Sequence, residues 1–252
     1  MFTDYLEEKK ITHIAMKIDN NPLRDLQNSL EKAKGNLQVL ETNVPVEKQM
    51  EYFRFSEQIR IKDLDDEEID NQIKTLTLPE VPAHEIKYIL VVLASSGNVK
   101  AYRAIEAYNE IHSDYWSAMA LLQAKITLQT QFSDEKQIFI SSGLGGKGDL
   151  IRFYAFFKST DKKYFSDYQR KLIEEEMAFC IERYNGIMEE IDIKENYFTI
   201  LFLLQFQANV KEMLEEAVAE CNQYGNFINK GFIITNMKTF SDEEILSELL
   251  KK

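Results

Sequence analysis

The chain has 252 residues, 44% of them hydrophobic and 12% aromatic, enough to bury one large core or two modest ones. Its 42 acidic residues outnumber 30 basic ones, for a net charge of −12 and a pI near 4.9. That balance opposes a phosphate backbone and offers no overall counterion-release drive, so composition predicts no nucleic-acid partner.

The opening residues, Met1-Phe2-Thr3-Asp4-Tyr5-Leu6-Glu7-Glu8, have neither the basic n-region nor the apolar h-region of a secretory leader, which predicts a cytoplasmic protein. Helical spacing covers Asp4 to Ile18, and Asn20-Asn21-Pro22 then starts a helix with the apolar stripe Leu23, Leu26, Leu30, Ala33, Leu37 and Leu40. Asn43-Val44-Pro45 ends it, and Val46 to Glu57 and Asp65 to Leu76 follow as further helices. The acidic run Asp63, Asp65, Asp66, Glu67, Glu68 and Asp70 reads as the solvated start of the latter rather than a metal site.

Leu78-Pro79-Glu80-Val81-Pro82 is a stiff connector, because each proline fixes its own φ and extends the residue before it. A helix from Pro82 places Ile86, Ile89, Leu90 and Leu93 on a buried face, and Ser95-Ser96-Gly97-Asn98 stops it. The return helix, Val99 to Ile111, aligns Ala101, Ile105, Tyr108 and Ile111; Ser113-Asp114 then caps a helix carrying Ala118, Leu121, Leu122 and Ile126. The segment Pro82 to Gln131, with its helix, Ser96-Gly97-Asn98 turn, return helix and alanine- and leucine-rich third helix, resembles a HEAT-type helical repeat. The resemblance implies a stacked α-scaffold that binds other proteins; an ordinary helical bundle is the alternative.

Phe132-Ser133-Asp134-Glu135-Lys136 marks a domain boundary, since the period then changes from helical to alternating. Gln137 to Ile140 and Leu150 to Lys158 read as strands, the second with Ile151, Phe153, Ala155 and Phe157 on one side and Arg152, Tyr154 and Lys158 on the other. A charged helix is predicted from Ser166 to Ile191, then a buried strand from Tyr197 to Phe206, which is too short to span a bilayer as a helix. Lys211 to Tyr224 returns as helix, Asn226-Phe227 leads to a strand through Gly231-Phe232-Ile233-Ile234, and Ser241 with Glu244 makes a capping box for the helix Asp242 to Leu250. The predicted fold class is α+β: an N-terminal all-α domain, bundle or HEAT-like, over residues 1–132, then a C-terminal four-stranded open α/β sheet domain over residues 137–252. Mixed strand directions are expected. The strand count is similar to that of small ferredoxin-like regulatory sheets, but the predicted order differs from theirs.

Four of nine glycines cluster in Ser141-Ser142-Gly143-Leu144-Gly145-Gly146-Lys147-Gly148-Asp149. The bare G-x-G-x-x-G pattern must pass from strand into helix to bind a dinucleotide, yet the residues that follow it are strand-like. A P-loop needs glycine where Ser141 stands and a hydroxyl where Gly148 stands. A protein kinase is excluded, because His13, His84 and His112 all precede the loop and no D-F-G follows it. Two readings remain: a hairpin turn, or an anion nest formed by Gly143, Gly145, Gly146, Lys147 and Gly148 with Arg152.

His84-Glu85 begins like a zinc-protease helix, but Tyr88 stands where the second histidine belongs. His112, near Asp114 and Trp116, fits a helix end better than a base, and Ser141 and Ser142 lack nucleophile-elbow spacing. Glu174, Glu175, Glu176, Glu182, Glu189 and Glu190 read as solvated charges, Phe153, Tyr154, Phe156, Phe157, Tyr197, Phe198, Phe202 and Phe206 as core, and Cys180 and Cys221 as buried structural thiols. No catalytic residue, cofactor or metal ligand is therefore assigned. The expectation is a non-catalytic adaptor that binds a protein partner or pairs with its own copies, without nucleic acid or membrane; the alternative is a binding protein or enzyme for a phosphorylated small molecule at residues 143–148.

Overall fold

The computed structural model describes residues 37–39, 41, 43–59, 64–132, 138–140 and 142–250. The expected helix Asp4 to Ile18, the Asn20-Pro22 start, the Leu23 to Ala33 stripe and Ser133 to Lys136 lie outside these residues. The chain divides into two compact units, the first holding Val44–Phe139 and the second Ile140–Lys252 with Gln38–Asn43. Leu37–Val39 is strand β1, paired with β2, Ile138–Ile140, in a separate two-stranded sheet. Leu37 is thus in a strand and not in the helix expected to run to Leu40.

The helical unit contains α1 (Val46–Gln58), α2 (Asp66–Leu76), α3 (Ala83–Ser95), α4 (Val99–His112) and α5 (Tyr115–Phe132). Prolines 45 and 82 sit at the N-caps of α1 and α3, where a fixed φ and a missing N–H are tolerated. The helix expected from Pro82 therefore begins at Ala83. Asp65 and Glu68 form a reciprocal capping box on α2, which accounts for part of the acidic run.

Helix α5 packs against α1, α3 and α4, making it the hub of a bundle rather than one member of a stack of pairs. Being surrounded, it buries Ser117, Met119, Ala120 and Ala124 as well as Ile126 of the expected stripe, whose other members Ala118, Leu121 and Leu122 are only partly buried. Polar groups inside the bundle are joined: Tyr52 Oη donates to Gln123 Oε1 at 2.6 Å, and Gln123 Nε2 donates to Ser95 Oγ at 2.7 Å. Trp116 stacks edge-on with Tyr52 and Phe55, carries Lys87 Nζ 4.2 Å above its ring, and donates Nε1–H to Lys87 O.

The second unit contains β3 (Gly146–Lys147), β4 (Leu150–Ser159), α6 (Asp167–Arg183), β5 (Ile187–Ile193), β6 (Tyr197–Gln205), α7 (Val210–Asn222), β7 (Ile228–Thr235) and α8 (Asp242–Leu250). The charged helix expected to reach Ile191 ends at Arg183; Asn185, at φ 58°, and Gly186 turn the chain into β5. That additional strand completes a β-α-β-β-α-β run, and the sheet order is β7-β4-β6-β5, with β3 sharing the β7 edge of β4. Every pairing in this sheet is antiparallel, which corrects the expectation of mixed directions. The crossovers β4-α6-β5 and β6-α7-β7 each join parallel strands that have an antiparallel strand between them, the split βαβ arrangement of ferredoxin-like units.

Alternation along β4 divides the core into two faces. Ile151, Phe153, Ala155 and Phe157 are buried on one, where Phe157 stacks on its cross-strand partner Phe198 at 4.5 Å and Phe153 on Phe202 at 5.7 Å. Tyr154 and Phe156 lie on the other, in a cluster with Leu144, Ile245, Tyr197, Leu201, Ile233, Phe240 and Leu249. No helix among the described residues is long and apolar enough to cross a membrane.

The glycine turn before β4 tests the backbone geometry directly. A Cβ on Gly143 would lie 1.8 Å from Met237 O, whereas one on Gly148, at φ +62°, meets open space. Gly143→Ala should therefore destabilise the protein by about 3 kcal/mol through forced displacement, and Gly148→Ala by only about 1 kcal/mol of backbone strain. Urea unfolding of both variants checks the difference; equal costs would refute the close-packed turn.

Candidate functional site

The glycine loop is built inward. Ser142 through Gly146 are buried, and only Lys147, Gly148 and Asp149 stand at an exposed tip. Leu144 N–H donates to Asn236 O, Gly145 N–H to Ser142 O, and Gly148 N–H to Glu41 Oε1 at 3.2 Å. Of the residues expected to form an anion nest, Gly143, Gly145 and Gly146 thus face protein, and Gly148 already holds a carboxylate of the same chain.

Arg152 is also engaged. Its Nη1 donates to Leu144 O at 2.8 Å, while Nε and Nη2 form a bidentate pair with Glu189. Glu189 is the extra residue in a register shift of β5, which lets its carboxylate reach an arginine two strands away. The hydrogen bond from Arg152, opposed by partial burial, holds the Glu189 carboxyl below the usual carboxylate range. The pair ties the β3–β4 turn to the far edge of the sheet.

The remaining sequence candidates are dispersed. His84 is exposed on α3, and His112 stacks on Tyr108 at 4.1 Å at the end of α4. Ser142 Oγ donates to Gly145 O; Ser141 lies outside the described residues. Burial pushes the Cys221 thiol up to about 12 and raises Cys180 as well, so both are protonated at neutral pH. Among the described residues no three His, Cys, Asp or Glu side chains are grouped to hold a metal ion.

A different region gathers exposed aromatics and cations. Beyond β4 the chain makes a short 3-10 turn, Thr160–Lys162, in which Asp161 and Lys162 both adopt positive φ, at 57° and 56°. Phe165 then inserts against Phe198 and Phe227, and Ser166 and Gln169 cap the start of α6 reciprocally. With Phe165 anchored, Tyr164 and Tyr168 point outward at 70% and 60% exposure, and Tyr224, after α7, is 63% exposed. Lys162, Lys163, Lys171 and Lys230 are exposed around them.

Two adjoining cavities run between these groups and share Asn226. One, of about 250 Å³, is lined by Thr160, Asp161, Lys163, Tyr164, Gln169 and Asn226 among others. The other, of about 460 Å³, includes Glu215, Asn222, Gln223, Asn226 and Lys230. Asn222 stays fixed, its Oδ1 accepting from Phe227 N–H and Ile228 N–H, so it shapes the trough rather than contacting a ligand. From Lys158 to Lys171 the sequence has five cations, Lys158, Lys162, Lys163, Arg170 and Lys171, against Asp161 and Asp167. The sequence signal was present in Lys162-Lys163-Tyr164 and Tyr168-Gln169-Arg170-Lys171, but it is hidden when charge is averaged over the chain.

No protein-family model and no curated protein matches the sequence. Among solved structures, the chain is similar to a protein of Deinococcus radiodurans R1 provisionally described as a transposase, with 9% identity, 41% of this chain and 89% of that one covered, and a TM-score of 0.33. It is also similar to a REP-associated tyrosine transposase bound to a REP hairpin, with 6% identity, 38% of this chain covered and a TM-score of 0.31; the match spans 61% of that chain. The expected HEAT-like, protein-binding, non-catalytic adaptor without a nucleic-acid partner is corrected by these neighbours: one is provisionally described as a transposase and the other is a transposase that holds a REP hairpin. A net charge averages over the chain and describes no single surface of it. At these TM-scores the likeness gives no substrate or reaction to this chain.

The Arg152–Glu189 pair makes a pH prediction. A carboxyl whose pKa is depressed on folding stabilises the fold above its unfolded value, and that contribution is lost as pH falls through the folded value. Glu189→Gln should lower the melting temperature at neutral pH, and the gap from wild type should close as pH drops below the usual carboxylate range. Thermal melts across the acid limb check this; a constant gap would refute the charge pairing.

Proposed function

We propose that the sheet unit binds single-stranded nucleic acid at the end formed by residues 160–171 and 223–230. The observation that carries this reading is the exposure of Tyr164, Tyr168 and Tyr224 among Lys162, Lys163, Lys171 and Lys230, beside the paired troughs. Exposed aromatic rings provide stacking surfaces for unpaired bases, and surrounding ammonium groups follow the backbone phosphates. Of the amides lining the space between, Asn226 is placed to pair with a base edge, whereas Gln169 is held in the Ser166 capping box and Gln223 by Glu220.

The chemistry favours single strands over duplex. Base faces are available to tyrosines only when unstacked, and this end offers separate rings on a turn and two helix termini instead of a basic helix for a major groove. The turn is also strained. Two consecutive non-glycine residues at positive φ cost about 1–3 kcal/mol each, and such strain concentrates where side chains must be aimed. Here it carries Lys162 and Lys163 out beside Tyr164. The acids in the troughs, Asp161 and Glu215, are partly neutralised: Asp161 lies 3.7 Å from Lys163 and Glu215 3.6 Å from Lys211.

Fluorescence anisotropy with labelled oligothymidylate and oligouridylate tests the proposal. Contact between four lysines and four phosphates predicts a slope of about −3 for log affinity against log salt. Removing each stacked ring should cost about 1–3 kcal/mol, so Tyr164→Ala with Tyr168→Ala should weaken binding by at least about tenfold. Absence of binding at low salt, or binding unchanged in the double variant, would overturn the assignment.

A further inference from the structure

We infer that the sheet face beneath α8 is a second single-stranded nucleic-acid platform, and that α8 is an acidic segment occupying it in place of the strand; the ligand class rests on the function proposed above. Outward alternation puts Tyr154 and Phe156 of β4 on this face with Tyr197 and Leu201 of β6 and Ile233 of β7. Phe156 lies 5.7 Å from the Tyr197 ring, a spacing that leaves both rings on one surface. Lys158 emerges beside them, opposite Tyr197 in the register. Aromatics on the middle strands of an antiparallel sheet, with lysine beside them, supply the base-stacking arrangement of sheet-type single-strand binders.

The helix that covers this face is acidic, with Glu244 paired to Lys238. Within nine residues α8 contains Asp242, Glu243, Glu244 and Glu248 and no cation. Ile245 is buried, Leu249 and the preceding Phe240 pack on the cluster, and Lys158 Nζ donates to Glu248 O at 3.1 Å. Phe240 packs tilted against both central rings, with centroids 5.4 Å from Tyr154 and 6.0 Å from Phe156. Leu246 and Leu250 remain exposed, so one side of the helix makes the attachment. The acids of the sheet near this face are paired, Glu189 with Arg152 and Asp192 with Lys194, apart from Glu190, which is exposed.

A helix this short is marginal alone and holds its structure by docking. Displacement would free Tyr154, Phe156 and Tyr197 for stacking and release Lys158 from the Glu248 carbonyl. The device therefore sets two modes of binding: the open end around Tyr164, available at all times, and the masked face, available when α8 leaves.

The test uses the full chain in two measurements. Ile245→Asp with Leu249→Asp should undock α8 and raise affinity for a 15-nucleotide oligothymidylate at least about tenfold, and Lys158→Glu in that background should remove the gain. In wild type, saturating oligonucleotide should increase amide hydrogen exchange across residues 242–250. If the undocking variant loses its fold by circular dichroism, the exchange measurement decides. No rise in exchange, together with no gain in affinity from a folded variant, would overturn the inference while leaving the Tyr164 end intact. Conversely, a wild type that fails to bind and an undocked variant that binds would remove the Tyr164 end and retain the face.

Discussion

Strand β4 is the constraint from which the second unit is built. One edge is hydrogen-bonded to β6 from Leu150 to Lys158, while the other is shared between β3 at its start and β7 along its remainder. Because alternate side chains leave opposite faces, this single register assigns Phe153 and Phe157 to the β6-stacked core and Tyr154, Phe156 and Lys158 to the face under α8. A slip of one residue would exchange the two sets. The close approach of Gly143 to Met237, the Leu144–Asn236 hydrogen bond and the Arg152–Glu189 pair all hold the start of β4 in place.

The strands and caps that sequence made legible were those with a strong local pattern. Alternation announced β4, a continuous apolar run announced β6, and the Ser241–Glu244 spacing announced a capping box that the hydrogen bonds contain. Strand β5 was hidden because Met188-Glu189-Glu190 continues the glutamate-rich composition of α6, and only Asn185-Gly186 marked the break. Missing it removed the split βαβ topology, since without β5 neither crossover has its partner. In the helical unit, α5 did not follow a one-stripe pattern for a tertiary reason: a helix touched by three others has no single apolar face to display.

A net charge is a poor guide to what any one surface of a chain can bind. Screening at physiological ionic strength limits the reach of an exposed charge to about 8 Å, so a ligand responds to the lysines beside it rather than to acids elsewhere on the chain. Lys162, Lys163, Lys171 and Lys230 gather at this end of a chain of net charge −12, with Lys163 paired to Asp161 and Lys171 to Glu175. On the face under α8, Lys158 is held by the backbone carbonyl of Glu248, so it meets a ligand only when the helix leaves.

Masking also fixes what affinity the covered face can show. The apparent affinity of a site that opens only part of the time is reduced by the open fraction. Burial of each large apolar side chain contributes about 1.5–3 kcal/mol, so docking through Ile245, Leu249 and Phe240 keeps the open fraction small in free protein. A strand that stacks on Tyr154 and Phe156 must replace those contacts, and each stacked base offers about 1–3 kcal/mol, a comparable amount. The face is therefore poised near balance, where a neighbouring segment of nucleic acid already held at Tyr164 and Tyr168 would supply the effective concentration that tips it.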